Sequence, residues 1–87
     1  MIEVKKINEH EYAVTIKEEN GSSKHLVTLD DEYYKQLTDG KISKDALIKR
    51  SFEFLLKREH KESILSKFNL RIINNYFPEY ESEIRVN

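Results

Sequence analysis

Apolar and polar residues alternate along the first third of the chain, a pattern that predicts strands with one buried face. In "YAVTIK", every second residue is large and apolar. "IEVKKI" before it and "KHLVTL" after it are rich in the β-branched and aliphatic residues that strands favour. The Asn20-Gly21 pair between the last two segments is typical of a tight primed turn, because both residues tolerate positive φ. Residues 1–29 are therefore predicted to form an antiparallel meander of about three strands.

From residue 30 onward, the apolar residues recur at helical spacing. Asp30 or Asp31 can accept a hydrogen bond from the first turn of "DEYYKQLT", and Gly40 suits the end of that short helix. Ser43 is predicted to cap the longest helix, "KDALIKRSFEFLLKRE", which contains neither glycine nor proline and carries one apolar stripe.

Two shorter helical segments are predicted beyond the long helix. Ser63 can cap "ILSKF", and Asn69 can cap "LRIINNYF", which should end before Pro78 because the residue before a proline disfavours helical geometry. We therefore predict an α+β fold in which the meander is followed by one long helix and two or three short ones. A chain of 87 residues is expected to form a single domain, with the meander over residues 1–29 and the helical part over residues 30–87.

The predicted helices carry more apolar surface than one thin sheet is expected to cover. Large exposed apolar patches on soluble proteins usually mark an interface, and twofold pairing is the commonest arrangement. We therefore predict a homodimer whose interface includes Leu47, Phe54, Ile72 and Tyr76. The competing prediction is that the C-terminal tail packs on the long helix and completes the core of one chain.

Composition narrows the class of protein. Charged residues make up 36% of the chain and hydrophobic residues 38%, so the core is expected to be thin. The absence of cysteine excludes disulfides and thiolate zinc sites. The N-terminal segment has charges where a signal peptide needs an apolar run, and the uncharged runs are too short to cross a bilayer. We expect a cytoplasmic protein that does not enter the membrane.

No catalytic pattern stands out in the sequence. The only glycines are Gly21 and Gly40, so a phosphate-binding glycine loop is absent. His10, His25 and His60 lack metal-ligand spacing, and no serine lies in a nucleophile elbow. The acidic residues near the first helix could assemble an acid–base pair, but a solvated surface and a helix cap account for them. We predict a protein that is not an enzyme and that needs no metal or cofactor.

Charge is unevenly distributed, although the net charge is only −1. Residues 44–77 carry eight lysines and arginines against four acidic residues, whereas both flanking segments are acidic. Arg50, Lys57 and Lys61 recur along one helical direction and could contact phosphates. The alternative is an ordinary solvated helix face, because acidic residues interrupt the row.

Residues 25–59, "HLVTLDDEYYKQLTDGKISKDALIKRSFEFLLKRE", resemble the ribbon-helix-helix DNA-binding family in plan, with a strand, a helix, a turn and a capped second helix. In that family, two chains pair their strands and lay the ribbon in the major groove. The resemblance implies a DNA-binding regulator or antitoxin. Lys24 and Thr28 on the strand, with Leu26, would read bases, and Arg50, Lys57 and Lys61 would supply further nucleic-acid contacts.

The C-terminal half is similar to small uncharacterised bacterial and archaeal proteins in "SFEFLLKRE", "SILSKFNL" and "YFPEYESEI". That resemblance implies a prokaryotic origin and brings no activity. The weakly acidic balance, and the acidic residues that follow the predicted reading strand, oppose DNA binding. We therefore predict a small protein-interaction module that binds a protein partner or itself, with DNA binding as the alternative.

Overall fold

Three antiparallel strands open the chain, and a short strand from the C-terminal half joins them. The structure is a computed structural model that describes residues 1–86. The sheet contains β1 (Ile2–Lys6), β2 (Glu11–Glu18), β3 (Gly21–Thr28) and β4 (Lys67–Asn69), in that spatial order. β1, β2 and β3 form the predicted antiparallel meander, whereas β4 lies parallel to β3.

The hairpin between β2 and β3 forms where it was predicted, but its turn differs. Glu18 pairs with Gly21, so Glu19 and Asn20 make the loop. Asn20 does not have the positive φ that a primed turn requires, whereas Gly21 has a φ of 131°, which favours glycine. The expected primed turn is therefore wrong, and glycine is needed at the first paired position after the loop.

Within residues 1–86, four α-helices follow the meander, and one of them is long. They are α1 (Asp31–Thr38), α2 (Lys44–Leu56), α3 (Ile72–Tyr76) and α4 (Tyr80–Ile84). The Asp30 side chain accepts a hydrogen bond from the Tyr33 amide at 2.7 Å, and Ser43 accepts one from the Ala46 amide at 3.1 Å. Both predicted caps are therefore present, and the predicted α+β class is confirmed.

β4 was not predicted. "ILSKF" was expected to be helical, but the chain makes a single 3₁₀ turn over Lys61–Ser63 and then becomes extended. The Leu26 amide donates to the Ser66 carbonyl at 2.8 Å, and the Leu70 amide donates to the Thr28 carbonyl at 2.9 Å. These backbone bonds to β3, together with the buried Phe68 side chain, stabilise a strand that local sequence does not favour.

The helices cover one face of the sheet, and α2 is at the centre of that layer. α2 contacts β1, and its Phe52 ring lies 5.5 Å from the His25 ring on β3 and 5.9 Å from the Phe68 ring on β4. On its other side, the Phe54 ring packs edge-on against Tyr80 at 5.2 Å. The sheet and the tail therefore cover the wide apolar arc of α2 from two sides.

This packing corrects two of the predicted interface residues. Leu47 is fully buried and Phe54 is 6% exposed within one chain, so neither is available at the surface. The tail is also tied to the rest of the helical layer, because the Val86 amide donates to the Leu37 carbonyl at 2.8 Å and the Tyr33 hydroxyl donates to Glu81 at 2.9 Å. Most of its apolar residues therefore complete the core of the chain that carries them.

Candidate functional site

An apolar cleft of about 170 Å³ opens between the end of α2, the 3₁₀ turn and α3. Its floor consists of four buried residues from four different segments, Leu55, Ile64, Phe68 and Ile73. Its more exposed walls are apolar too, and consist of Leu65, Ile72, Tyr76 and Phe77. Glu59 and Ser63 are the only polar residues in the lining.

Exposed apolar side chains are concentrated at the rim of the cleft. Tyr76 is 66% exposed and Leu65 is 47% exposed, and the other large apolar residues exposed among residues 1–86 are Met1 and Ile7, beside β1. β1 and β4 are the opposite edges of the sheet, so the two exposed groups are well separated. The cleft therefore unites Ile72 and Tyr76, the two predicted interface residues that are not buried.

β3 holds the Leu65 wall in place through a buried histidine. The Nδ1 atom of His25 lies 2.8 Å from the Leu65 carbonyl oxygen, and its Nε2 atom lies 2.9 Å from the Ser23 hydroxyl. Because a carbonyl oxygen can only accept, Nδ1 carries a proton and donates to Leu65. Both ring nitrogens of His25 are therefore paired, and the loop that carries Leu65 is fixed to the sheet.

Glu59 is the one charged residue in the cleft. Its amide donates to the Leu55 carbonyl at 2.9 Å, which continues the last turn of α2 beyond Leu56. The residue as a whole is half-buried, and its carboxylate has no hydrogen-bond or ion-pair partner within residues 1–86. Burial raises the pKa of this carboxyl, because an apolar environment disfavours the charged form.

Lys61 does not occupy the solvated position that a phosphate contact requires. Its side chain is 5% exposed, and its Nζ atom lies 3.0 Å from Glu18 and 2.9 Å from Glu62. It also donates to the Asn20 side chain at 3.3 Å. The prediction of a nucleic-acid contact is therefore wrong for Lys61, which instead joins the β2–β3 hairpin to the 3₁₀ turn beside the cleft.

The other predicted nucleic-acid contacts are divided between the two faces of the molecule. Lys24 and Thr28 lie on the outer face of β3, opposite the buried face, because alternate residues of a strand point to opposite sides. Arg50 lies on α2 and Lys57 directly follows it, and both line a polar depression in the helical layer that also contains Glu53. The structure therefore does not assemble the predicted set into one surface.

Residues 1–86 contain neither a metal-binding cluster nor a membrane-spanning helix. Among the described residues 1–86, no group of three or more histidines and carboxylates is placed to hold a metal ion. Over the same part of the chain, no helix combines the length and the apolar composition that crossing a membrane requires.

Glu59 and Leu65 were missed by sequence reasoning. Glu59 was predicted as the last residue of the long helix and Leu65 as part of the helical segment "ILSKF", whereas both lie in the connection between α2 and β4. Comparisons with protein-family models, with curated proteins and with solved structures found no match to this chain. The case for its function therefore rests on the residues of the chain itself.

Proposed function

We propose that this protein is a small, non-enzymatic protein-interaction module whose cleft receives a large apolar side chain from a partner. The observation that carries the proposal is the open apolar cleft with Leu65 and Tyr76 exposed on its rim. Exposed apolar surface of this kind is costly in water and is typical of binding surfaces.

The size of the cleft supports one anchoring side chain over a larger organic ligand. Pockets for drug-sized molecules measure roughly 300–1,000 Å³, whereas an engineered cavity of about 150 Å³ in another protein holds a single benzene ring. At about 170 Å³, this cleft matches the smaller class. A second copy of the chain can serve as the partner, which would make the protein a homodimer, and a cytoplasmic location is part of the proposal.

Selection from a displayed random-peptide library tests the proposal. Wild-type protein should retain peptides that share a large apolar residue, and Tyr76→Asp should lose them because the new charge lies on the rim. Ile7→Asp is the matched control, since it also places a charge on exposed apolar surface but beside β1. Retention of the same peptides by Tyr76→Asp would contradict the proposal.

Sedimentation at several concentrations tests the self-association separately. A dimer that Leu65→Asp converts to a folded monomer would support pairing through the cleft. A monomer at every concentration would restrict the proposal to partners other than a second copy.

A second candidate is phosphate contact on the outer face of the sheet, in the manner of a nucleic-acid-binding regulator. Lys5, Lys24 and Lys67 all point to this face and have no ion-pair partner within residues 1–86. Such lysines attract phosphates.

Three features make this candidate the weaker one. β3 is an inner strand of a four-stranded sheet, and the major groove, about 12 Å wide, admits a two-stranded ribbon. The outward positions of the four strands carry no aromatic side chain on which a base could stack. Glu3 and Glu11 also lie on this face. Retardation of nucleic acid at low salt, abolished in a variant that combines Lys24→Glu and Lys67→Glu, would favour it over the cleft.

A further inference from the structure

We infer that the partner segment carries a lysine or arginine beside its apolar anchor, and that the Glu59 carboxylate receives that cation. This inference rests on the proposed function of the cleft and names the chemistry of its occupant. Charge complementarity supports the inference, because Glu59 is an unpaired acidic residue in an apolar cleft and a cation on the partner would neutralise it.

The basic residues next to Glu59 in sequence do not neutralise it. The Arg58 guanidinium lies 3.1 Å from Glu79 and 3.0 Å from Glu83, on the side of α2 that faces the tail. Lys61 is held by Glu18 and Glu62. Arg58 and Lys61 are thus paired with other carboxylates, and the Glu59 carboxylate has no cation partner within residues 1–86.

An apolar anchor alone would destabilise the Glu59 carboxylate. A side chain that fills the cleft removes water from the lining, and an unpaired carboxylate that loses water is strongly destabilised. A cation on the adjacent residue of the partner replaces that water with a charge-assisted hydrogen bond. The exposed Tyr76 ring at the rim is a second group that attracts a cation. The cleft should therefore prefer apolar–cationic segments, tolerate apolar–neutral ones weakly and reject apolar–acidic ones.

Four blocked pentapeptides that differ at two central positions test this preference. The central pairs are Leu-Lys, Leu-Gln, Leu-Glu and Ala-Lys, each between glycine and serine residues. Each peptide is titrated into isotope-labelled protein, and the amide signals of residues 59–77 report binding at the cleft. The Leu-Lys peptide should bind about tenfold more tightly than the Leu-Gln peptide, as expected for one hydrogen bond to a charged group, and the Leu-Glu peptide should not bind.

Glu59→Gln is the informative variant, and Glu53→Gln is its matched control. Glu53 is an exposed glutamate on α2, the helix that precedes Glu59, and it does not line the cleft. Glu59→Gln should bind the Leu-Lys and Leu-Gln peptides equally, whereas Glu53→Gln should keep the tenfold preference. An unchanged amide spectrum away from the cleft establishes that both variants fold.

The outcomes separate the two levels of the proposal. Equal affinity of wild-type protein for the Leu-Lys and Leu-Gln peptides would overturn the inference about Glu59 and leave the apolar cleft as a binding site. If the Leu-Lys peptide binds no better than the Ala-Lys peptide, the cleft does not receive an apolar anchor, and the proposed function itself is overturned.

Discussion

The hydroxyl of Tyr80 lies 2.7 Å from the hydroxyl of Ser51, and neither residue is exposed to solvent. Ser51 itself donates to the Leu47 carbonyl at 2.8 Å, so Tyr80 is the donor in the pair. Burial raises the pKa of Tyr80, which keeps the phenol protonated and able to donate. Through this contact α4 is fixed to the middle of α2, and the tail becomes part of the core.

Two substitutions at Tyr80 separate its polar and apolar contributions to stability. Tyr80→Phe should lower the free energy of unfolding by about 1 kcal/mol, because Ser51 keeps its bond to Leu47. Tyr80→Ala should lower it by about 3–5 kcal/mol, because the ring also packs against Phe54 in the core. Urea unfolding measures both. Equal effects of the two substitutions would mean that the ring contributes no packing.

Lys61 should stabilise the hairpin and the 3₁₀ turn through its two carboxylate partners. Lys61→Met keeps the apolar stem and removes the contacts to Glu18 and Glu62, so the melting temperature should fall. Lys57→Met provides the comparison, because Lys57 is exposed and has no ion-pair partner among the described residues. The difference between the two variants should shrink at high salt, which screens the ion pairs. Equal melting temperatures for Lys61→Met and Lys57→Met would contradict a stabilising role for Lys61.

Asp30 links helix capping to acid stability. Its carboxylate forms a bidentate pair with Arg71, at 2.9 and 3.1 Å, and also accepts from the Tyr33 amide. The hydrogen bonds from Arg71, and then the one from the Tyr33 amide, hold the pKa of Asp30 below its usual 3.8. A carboxyl with a lowered folded-state pKa stabilises the fold above its unfolded-state pKa, and that contribution is lost as pH falls through the folded-state value.

Asp30→Ala should therefore destabilise the protein at neutral pH by about 1 kcal/mol, the typical value of a helix cap. Asp30→Asn should cost less, because its amide oxygen can still cap the helix. The difference between wild-type protein and either variant should narrow as pH falls below about 4, as followed by thermal unfolding. A difference that stays constant down to pH 2 would contradict the role of the carboxylate charge.

Glu59 should show the opposite dependence on pH. The folded-state pKa of Glu59 lies above the usual 4.5, so the folded protein binds this proton at a higher pH than the unfolded chain does. The folded state therefore loses stability as pH rises from the unfolded-state pKa to the folded-state pKa. Glu59→Gln should therefore raise the melting temperature slightly at pH 7 and leave it unchanged near pH 4. Glu53→Gln should change neither value. A lower melting temperature for Glu59→Gln at pH 7 would show that the carboxylate has a favourable partner within the chain.

The elements that carry their own local signal could be predicted from the sequence. Ser43 and Asp30 cap helices because of their side-chain chemistry, and the alternation in β2 is visible without knowledge of its neighbours. β4 has no such signal, because Phe68 is its only buried residue and its stability comes from pairing with β3. The sheet therefore gained a strand that only tertiary contacts explain.

The residues of the candidate site also divide into those with a local sequence signal and those that are placed by tertiary contacts. Ile72 and Tyr76, which were predicted as interface residues from apolar content, line the cleft, whereas Phe54 is covered by the tail. Lys61 was misassigned for a similar reason, since its partner Glu18 is brought to it by the fold. Glu59 acquires its position in an apolar cleft from residues on α2, β4 and α3 together, and no window of sequence contains that information.

The parallel pairing of β4 with β3 also bears on the order in which the molecule assembles. The β2–β3 hairpin closes through a two-residue loop, but β4 can dock only after residues 29–66 have crossed the inner face of the sheet. Contacts between distant parts of a chain form late, because the entropy of closing a long loop must be overcome first. Phe68 docks as part of β4, and Ile72 and Tyr76 come after it in the chain, so a chain emerging from synthesis would form the cleft only after the β2–β3 hairpin and α2 are in place.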